Sequence, residues 1–425
     1  MLKTIRSNSN QLFFLILFLA LLLRLVGIQH SFPYILHPDE PAVVRSALAV
    51  RFDPNPHHFD WPHLFIYLNY FAFKGFAWAR ELLVQGGLRE AVSSVFPIMW
   101  DDYIVFYFIS RVFAAILGAL TVIPVYLTGK NLFGDRAGLY GALAMALIPF
   151  HVRNSHYALI DVPMTFLLSW SLYFCSKILS SKETANYIWA GFFAGLAAST
   201  KYNGVFVLLV IPLAYLFRVI AQKGERFFDA RGFLRLAFSG FFSILGFLVG
   251  TPFALLDYTT FTRTDGPVGA LWQFTNVGKV ELASHLWTFF TLPVSSKIVH
   301  FGYVLFLAYI MAILYYTYRL FRRKFEYDEL NIWLLLIPSL FFFWYVTGVY
   351  RNRAQYYMIT YPFVAIVVGY FLYLVLAKVK YFKKALFMLF FLIPLYFCIL
   401  NIVDLTKPPI IETDTKIYGG RYERW

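Results

Sequence analysis

Apolar runs of about 18 or more residues follow one another along the chain, separated by short polar segments. A bilayer-spanning helix needs that length, whereas a β-barrel would show short alternating segments. The pattern predicts an all-α, polytopic membrane protein with about eleven transmembrane helices. They fall at about 11–29, 104–128, 137–152, 161–179, 187–200, 203–218, 236–253, 298–318, 331–349, 358–377 and 385–402. One transmembrane domain then covers 1–402, with a first outer loop over 30–103 and a tail over 403–425.

Two stretches need a closer reading. Leu12 to Ile28 follows Lys3 and Arg6 as a signal sequence would, but Gly27-Ile28-Gln29-His30 offers no small-residue cleavage site, so it reads as an uncleaved first helix. Leu64 to Leu82 is apolar enough to span, yet Lys74, Arg80 and Glu81 interrupt its end. It is expected to lie as a juxtamembrane helix on the outer surface. The 254–297 loop, with Trp272 and Trp287, is expected to be interfacial too.

Charge then orients the chain. The loops alternate in character, and one set carries about half of all Lys and Arg: the N-terminus, Lys130/Arg136, Lys177/Lys182, Arg218–Arg235, Arg319–Lys324 and Lys378–Lys384. That set is expected to be cytoplasmic, with the N-terminus, in the cell membrane. The other loops hold every polar constellation of interest, so the chemistry is expected on the outer face. Composition agrees with burial in lipid: 60% of residues are apolar, 14% charged and 21% aromatic, with mean hydropathy +0.63. The net charge of +14 sits in short segments between apolar runs, which speaks against nucleic acid as a partner. Cys175 and Cys398 both lie inside apolar runs and read as core residues.

Six constellations carry candidate chemistry. His37-Pro38-Asp39-Glu40-Pro41 places two carboxylates just beyond the first helix; as a bland alternative, acids and proline also suit a helix start. A dense cluster comes next, Asn55-Pro56-His57-His58-Phe59-Asp60-Trp61-Pro62-His63. Arg111 stands at the outer part of a helix, where a snorkelling anchor is the ordinary reading. His156, Tyr157 and Asp161 precede the next span, and an ionisable residue at membrane depth is costly unless it has a role. Lys201 breaks an apolar stretch of about 30 residues, as buried anion sites do. Arg351 and Arg353 come after another helix, where guanidinium groups clamp phosphates or touch lipid headgroups. Each feature alone is more often structural; together they are carboxylates and cations gathered on one membrane face.

The ordered set resembles the GT-C class of membrane glycosyltransferases, of the protein O-mannosyltransferase and aminoarabinose transferase type. The matches are Asp39-Glu40, Phe59-Asp60-Trp61-Pro62, Arg111 with Gly118-Ala119-Leu120-Thr121, Ser155-His156-Tyr157 to Asp161, and Gly195 to Gly204 around Lys201. Thr251-Pro252-Phe253 to Asp257 and the stretch from Arg353 to Pro362 match loosely. The resemblance implies a polyprenyl-phosphate-linked sugar as donor, a lipid, glycan or protein as acceptor, and inversion at the transferred sugar. Asp39, Glu40 and Asp161 are then the catalytic candidates, with Asp39 as general base. Lys201, Arg111, Arg351 and Arg353 are candidates for the donor phosphate. His58, Asp60, Trp61, His156 and Tyr157 would line the sugar or acceptor pocket. The loop over 254–297 has no room for the folded domain that eukaryotic mannosyltransferases carry there, which leaves the acceptor open. His57, His58, Asp60 and His63 have ligand chemistry, but their spacing fits no standard zinc pattern, so no metal or other cofactor is expected. A flippase or transporter of lipid-linked saccharide would also explain the broken helix and membrane charges, and a non-catalytic subunit of a glycosylation complex is a third reading.

Overall fold

The computed structural model describes residues 2–101, 103–222, 229–275, 280–295, 301–322, 326, 329–350, 352–379 and 381–408. Arg351 and the tail over 409–425 lie outside the described residues. The chain runs through α1 (Leu2–Leu25), α2 (Glu40–Ala49), α3 (Leu64–Gln85) and α4 (Arg89–Val95). Next come α5 (Ile104–Leu120), α6 (Val122–Phe133), α7 (Asp135–Ala146), α8 (Pro149–Asn154), α9 (Asp161–Ser180) and α10 (Thr184–Ala198). A 3-10 stretch, Tyr202–Leu209, continues into α11 (Val210–Ala221), and α12 (Ala230–Gly250) comes after it. The short α13 (Phe253–Leu256), α14 (Tyr258–Phe261), α15 (Ala270–Thr275) and α16 (Leu282–Thr291) occupy the loop read as interfacial. Then come α17 (Tyr303–Phe321), α18 (Leu330–Thr347), a 3-10 stretch Ala354–Thr360 leading into α19 (Tyr361–Lys378), and α20 (Lys383–Thr406).

Eight of these helical runs are long and apolar enough to cross a membrane. Three expected spans are shorter: Ser9–Leu25 within α1, the 12 residues of α7 and the 15 of α10. The run expected over 137–152 is divided. Pro149 has no N–H to donate to the preceding turn, so α7 stops at Ala146 and Pro149 opens a new helix as its first residue. α3 is a continuous helix, but only Phe65, Ile66, Asn69 and Phe73 along it are buried, a single stripe at helical spacing.

The packing that matters most for the site is the seam between α10 and α12. A Cβ on Gly191 would stand 2.0 Å from the Ser239 carbonyl oxygen, and one on Gly195 would stand 2.0 Å from that of Ser243. No side chain fits there, so glycine one turn apart lets the two backbones touch, as small residues do in membrane helix pairs. The same seam aligns the C-terminal ends of both helices. Ser199 Oγ lies 2.7 Å from Thr251 Oγ1, fixing the turn that carries Lys201.

Candidate active site

The segment 59–64 is sewn onto the paired ends of α10 and α12. His63 N donates to Thr251 Oγ1 at 3.1 Å, Leu64 N to the Ser199 carbonyl at 3.0 Å, and Tyr202 OH to the Phe59 carbonyl at 2.8 Å. Trp61 packs with Val43 of α2, Phe65 of α3, Ala114 of α5 and Ile160. These contacts place the start of α2, the 59–64 segment, the start of α9 and the Lys201 turn side by side.

The two adjacent carboxylates have unlike surroundings. Glu40 opens α2 and is fully buried. Arg111 grips it in a fork, Nε to Oε1 and Nη2 to Oε2 both at 2.7 Å, and Ala158 N donates to Oε1 at 2.9 Å. Burial, the largest influence, opposes its ionisation, yet Arg111 and the Ala158 N–H hold the Glu40 carboxyl below the usual range. Asp39 is half-buried, and no ion pair or hydrogen bond engages its carboxylate among the described residues. Its backbone N donates to His37 Nδ1 at 3.2 Å.

Arg111, expected as a phosphate ligand, has a different task. It is fully buried, and beyond Glu40 its Nη1 donates to the carbonyls of His30 at 2.9 Å and Ile28 at 3.3 Å. Every guanidinium nitrogen is thereby committed, so it positions Glu40 and the exit of α1 and cannot meet a phosphate in this arrangement. Asp161 begins α9 and holds Lys201, Oδ1 to Nζ at 2.5 Å. The Tyr356 ring centroid lies 5.0 Å from the same ammonium. Arg353 is exposed at the start of the Ala354–Thr360 stretch and has no ion pair among the described residues.

The pocket residues divide. His58 stands between Ser46 Oγ at 3.0 Å and Asp60 Oδ1 at 2.6 Å, tying α2 to the loop. Tyr157 is half-buried with its ring against His30 and His37, each at 4.9 Å between centroids. His156 is fully buried, with its two ring nitrogens 2.9 Å from the carbonyls of Val152 and Val26, so it supports the loop and does not face a sugar. His57 pairs with Asp53 at 2.8 Å, and burial lowers the pKa of His63 to about 4, leaving a neutral ring whose Nε2 meets the His58 carbonyl at 2.7 Å. Among the described residues no three His, Cys, Asp or Glu side chains are arranged to hold a metal ion. Sequence reasoning overlooked Ser199 and the Ala158 N–H; the first was visible only as part of the Lys201 motif, and a backbone donor leaves no trace in side-chain identity.

Residues 107–249 match the family model described as dolichyl-phosphate-mannose-protein mannosyltransferase. Dolichyl-phosphate-mannose--protein mannosyltransferase 1 of Saccharomyces cerevisiae is 31% identical over 156 residues, 35% of this chain and 18% of that protein. An uncharacterized Aquifex aeolicus protein is 31% identical over 99 residues, 23% of this chain and 20% of that protein. The chain thus spans about a fifth of the length of the curated relatives it matches. Among solved structures, the Archaeoglobus fulgidus oligosaccharyltransferase AglB, in complex with an inhibitory peptide and a dolichol-phosphate, aligns with TM-score 0.58 at 16% identity over 94% of this chain and 56% of that one. ArnT from Cupriavidus metallidurans, bound to undecaprenyl phosphate, aligns with TM-score 0.54 at 14% identity over 87% and 61%. At such identity the structural likeness speaks for the fold, and the matched segment speaks for the family. Over residues 107–249 the chain is thus similar to the dolichyl-phosphate-mannose-protein mannosyltransferases, and it shares its fold with the oligosaccharyltransferase and ArnT structures.

Proposed function

We propose that the protein transfers a sugar from a polyprenyl-phosphate carrier to an acceptor hydroxyl at the outer membrane face, with inversion. The observation that carries this reading is the contrast within the acidic pair: Glu40 is spent on Arg111, while the Asp39 carboxylate beside it is unpaired and reachable. Asp39 accepts the proton of the acceptor hydroxyl as that oxygen attacks the anomeric carbon. The bond from that carbon to the phosphate oxygen breaks, and the released charge is met by the Lys201 ammonium, held in place by Asp161, and by Arg353. The polyprenyl phosphates named with the solved relatives support this donor chemistry. His58, Asp60, Trp61 and Tyr157 border the sugar and acceptor, which is a lipid, a glycan or a protein. No metal takes part. The outer-face placement rests on the basic loops clustering at the opposite side.

A transporter reading rests on the broken helix and the charges at membrane depth; the Asp161–Lys201 pair gives two of those charges a partner, and the similarity to glycosyltransferases favours transfer. Asp39→Asn tests the proposal in purified protein given a radiolabelled polyprenyl-phosphate sugar and membrane acceptors. Loss of a general base lowers turnover about a hundred- to ten-thousandfold. Donor binding and melting temperature should stay as in the parent, because asparagine preserves a helix-start role. Near-normal turnover in Asp39→Asn would overturn the assignment.

A further inference from the structure

Far from this site, α1, α7 and α20 leave an open groove of about 320 Å³ between them. Its walls are apolar: Leu12, Leu15 and Leu19 from α1, Leu139 and Leu143 from α7, and Phe387 from α20, whose ring lies 6.0 Å from that of Tyr140. One charged residue lines it, Arg136, in the first turn of α7. Lys383 and Lys384 precede Phe387 by four and three residues, so they stand over the same face of α20 at the same end of the groove.

These three cations are uncompensated. All are exposed, and no acid pairs with any of them among the described residues. The nearest acid in sequence, Asp135, is already engaged by Lys130 at 3.0 Å and by the Tyr126 hydroxyl at 2.6 Å. α7 and α20 both begin here, so their positive dipole ends add to the field. An apolar trough with a basic rim between membrane helices matches a lipid whose tail is hydrocarbon and whose head is anionic.

We propose that this groove binds an anionic glycerophospholipid, its phosphate against Arg136, Lys383 and Lys384 and an acyl chain along Leu139, Leu143 and Leu15. The polyprenyl-phosphate donor is not the occupant. The Lys201 site adjoins the loop after α8, whereas Arg136 lies at the other end of α7, about 15 Å away by helical rise.

Native mass spectrometry of the purified full chain in neutral detergent tests the proposal, with phosphatidylglycerol and phosphatidylcholine titrated separately. Phosphatidylglycerol should bind at least about tenfold more tightly. Arg136→Gln should remove most of that preference, a loss of about ten- to a hundredfold for a charge-assisted contact to phosphate. Leu143→Trp, which fills the trough and leaves the cations in place, should weaken phosphatidylglycerol as well. Equal affinity for both lipids, or full retention in Arg136→Gln, overturns the site. Full retention in Leu143→Trp with loss in Arg136→Gln shows headgroup adsorption without a seated chain, and also overturns it. So does displacement of phosphatidylglycerol by undecaprenyl phosphate at equal concentration.

Discussion

Replacing Glu40 by Gln probes the tightest interaction in the site, because it changes one charge and almost no volume. Glu40 accepts three hydrogen bonds, two of them from a fully buried guanidinium. A glutamine offers one oxygen and one NH2, so one Arg111 donor would face another donor and the buried positive charge would lose its partner. Breaking a buried pair from one side costs about 3–5 kcal/mol. Spread over an unfolding entropy of roughly 2.1 cal/mol/K per residue for 425 residues, that is a fall of roughly 3–6 °C in melting temperature. Arg111→Met leaves the opposite orphan, a buried carboxylate. In the parent, the folded-state pKa of Glu40 is lowered, so its contribution is present above the usual value near 4.5 and is lost as pH falls through the folded value. In Arg111→Met burial is opposed only by the weaker pull of the Ala158 N–H and His37 and should raise that pKa, so the penalty should shrink as pH falls through it. The double variant should recover much of either single loss. The measurement is intrinsic-fluorescence melting in detergent at pH values from about 4 to 7. An unchanged melting point for Glu40→Gln, or additive losses in the double variant, would refute the reasoning.

Three further outcomes rest on the same geometry. Lys201→Ala and Arg353→Ala should each weaken donor binding by about ten- to a hundredfold while the protein still folds; unchanged donor affinity in titrations of both variants would remove them from the phosphate site. Gly195→Ala pushes a methyl to 2.0 Å from the Ser243 carbonyl oxygen, so the α10–α12 seam must part. Overpacking of this kind costs about 1–3 kcal/mol or more, and both melting temperature and turnover should fall; full activity would show that the Lys201 turn does not depend on the seam. Turnover should survive exhaustive chelation, and loss with EDTA that one divalent ion restores would instead direct attention to His57, His58 and Asp60.

How much of this was legible in the sequence depends on the scale of the signal. Hydropathy located the long helices because twenty apolar residues in a row average out local detail, but it misjudged continuity wherever one residue decides. Pro149 divides a run that hydropathy reads as whole. The ordered motifs singled out Asp161 and Lys201, which the structure pairs, since spacing survives in the chain. Their division of labour was not legible. Arg111 and a phosphate ligand look alike in sequence, and only the fork to Glu40, across 71 residues, separates them. His156 was misplaced for the same reason: its ring meets two backbone carbonyls, partners that no residue type announces.

Arg111 also has a consequence for the first helix. By holding the carbonyls of Ile28 and His30 with the same guanidinium that fixes Glu40, it ties the exit of α1 to the start of α2. One residue inserted into α1 shifts the downstream chain by about 1.5 Å and turns it by about 100°. Slack in an ordinary loop would absorb that change. With those two carbonyls anchored, such a change would be passed towards Asp39, the proposed general base, so the depth at which the first span sits in lipid bears on where that carboxylate stands.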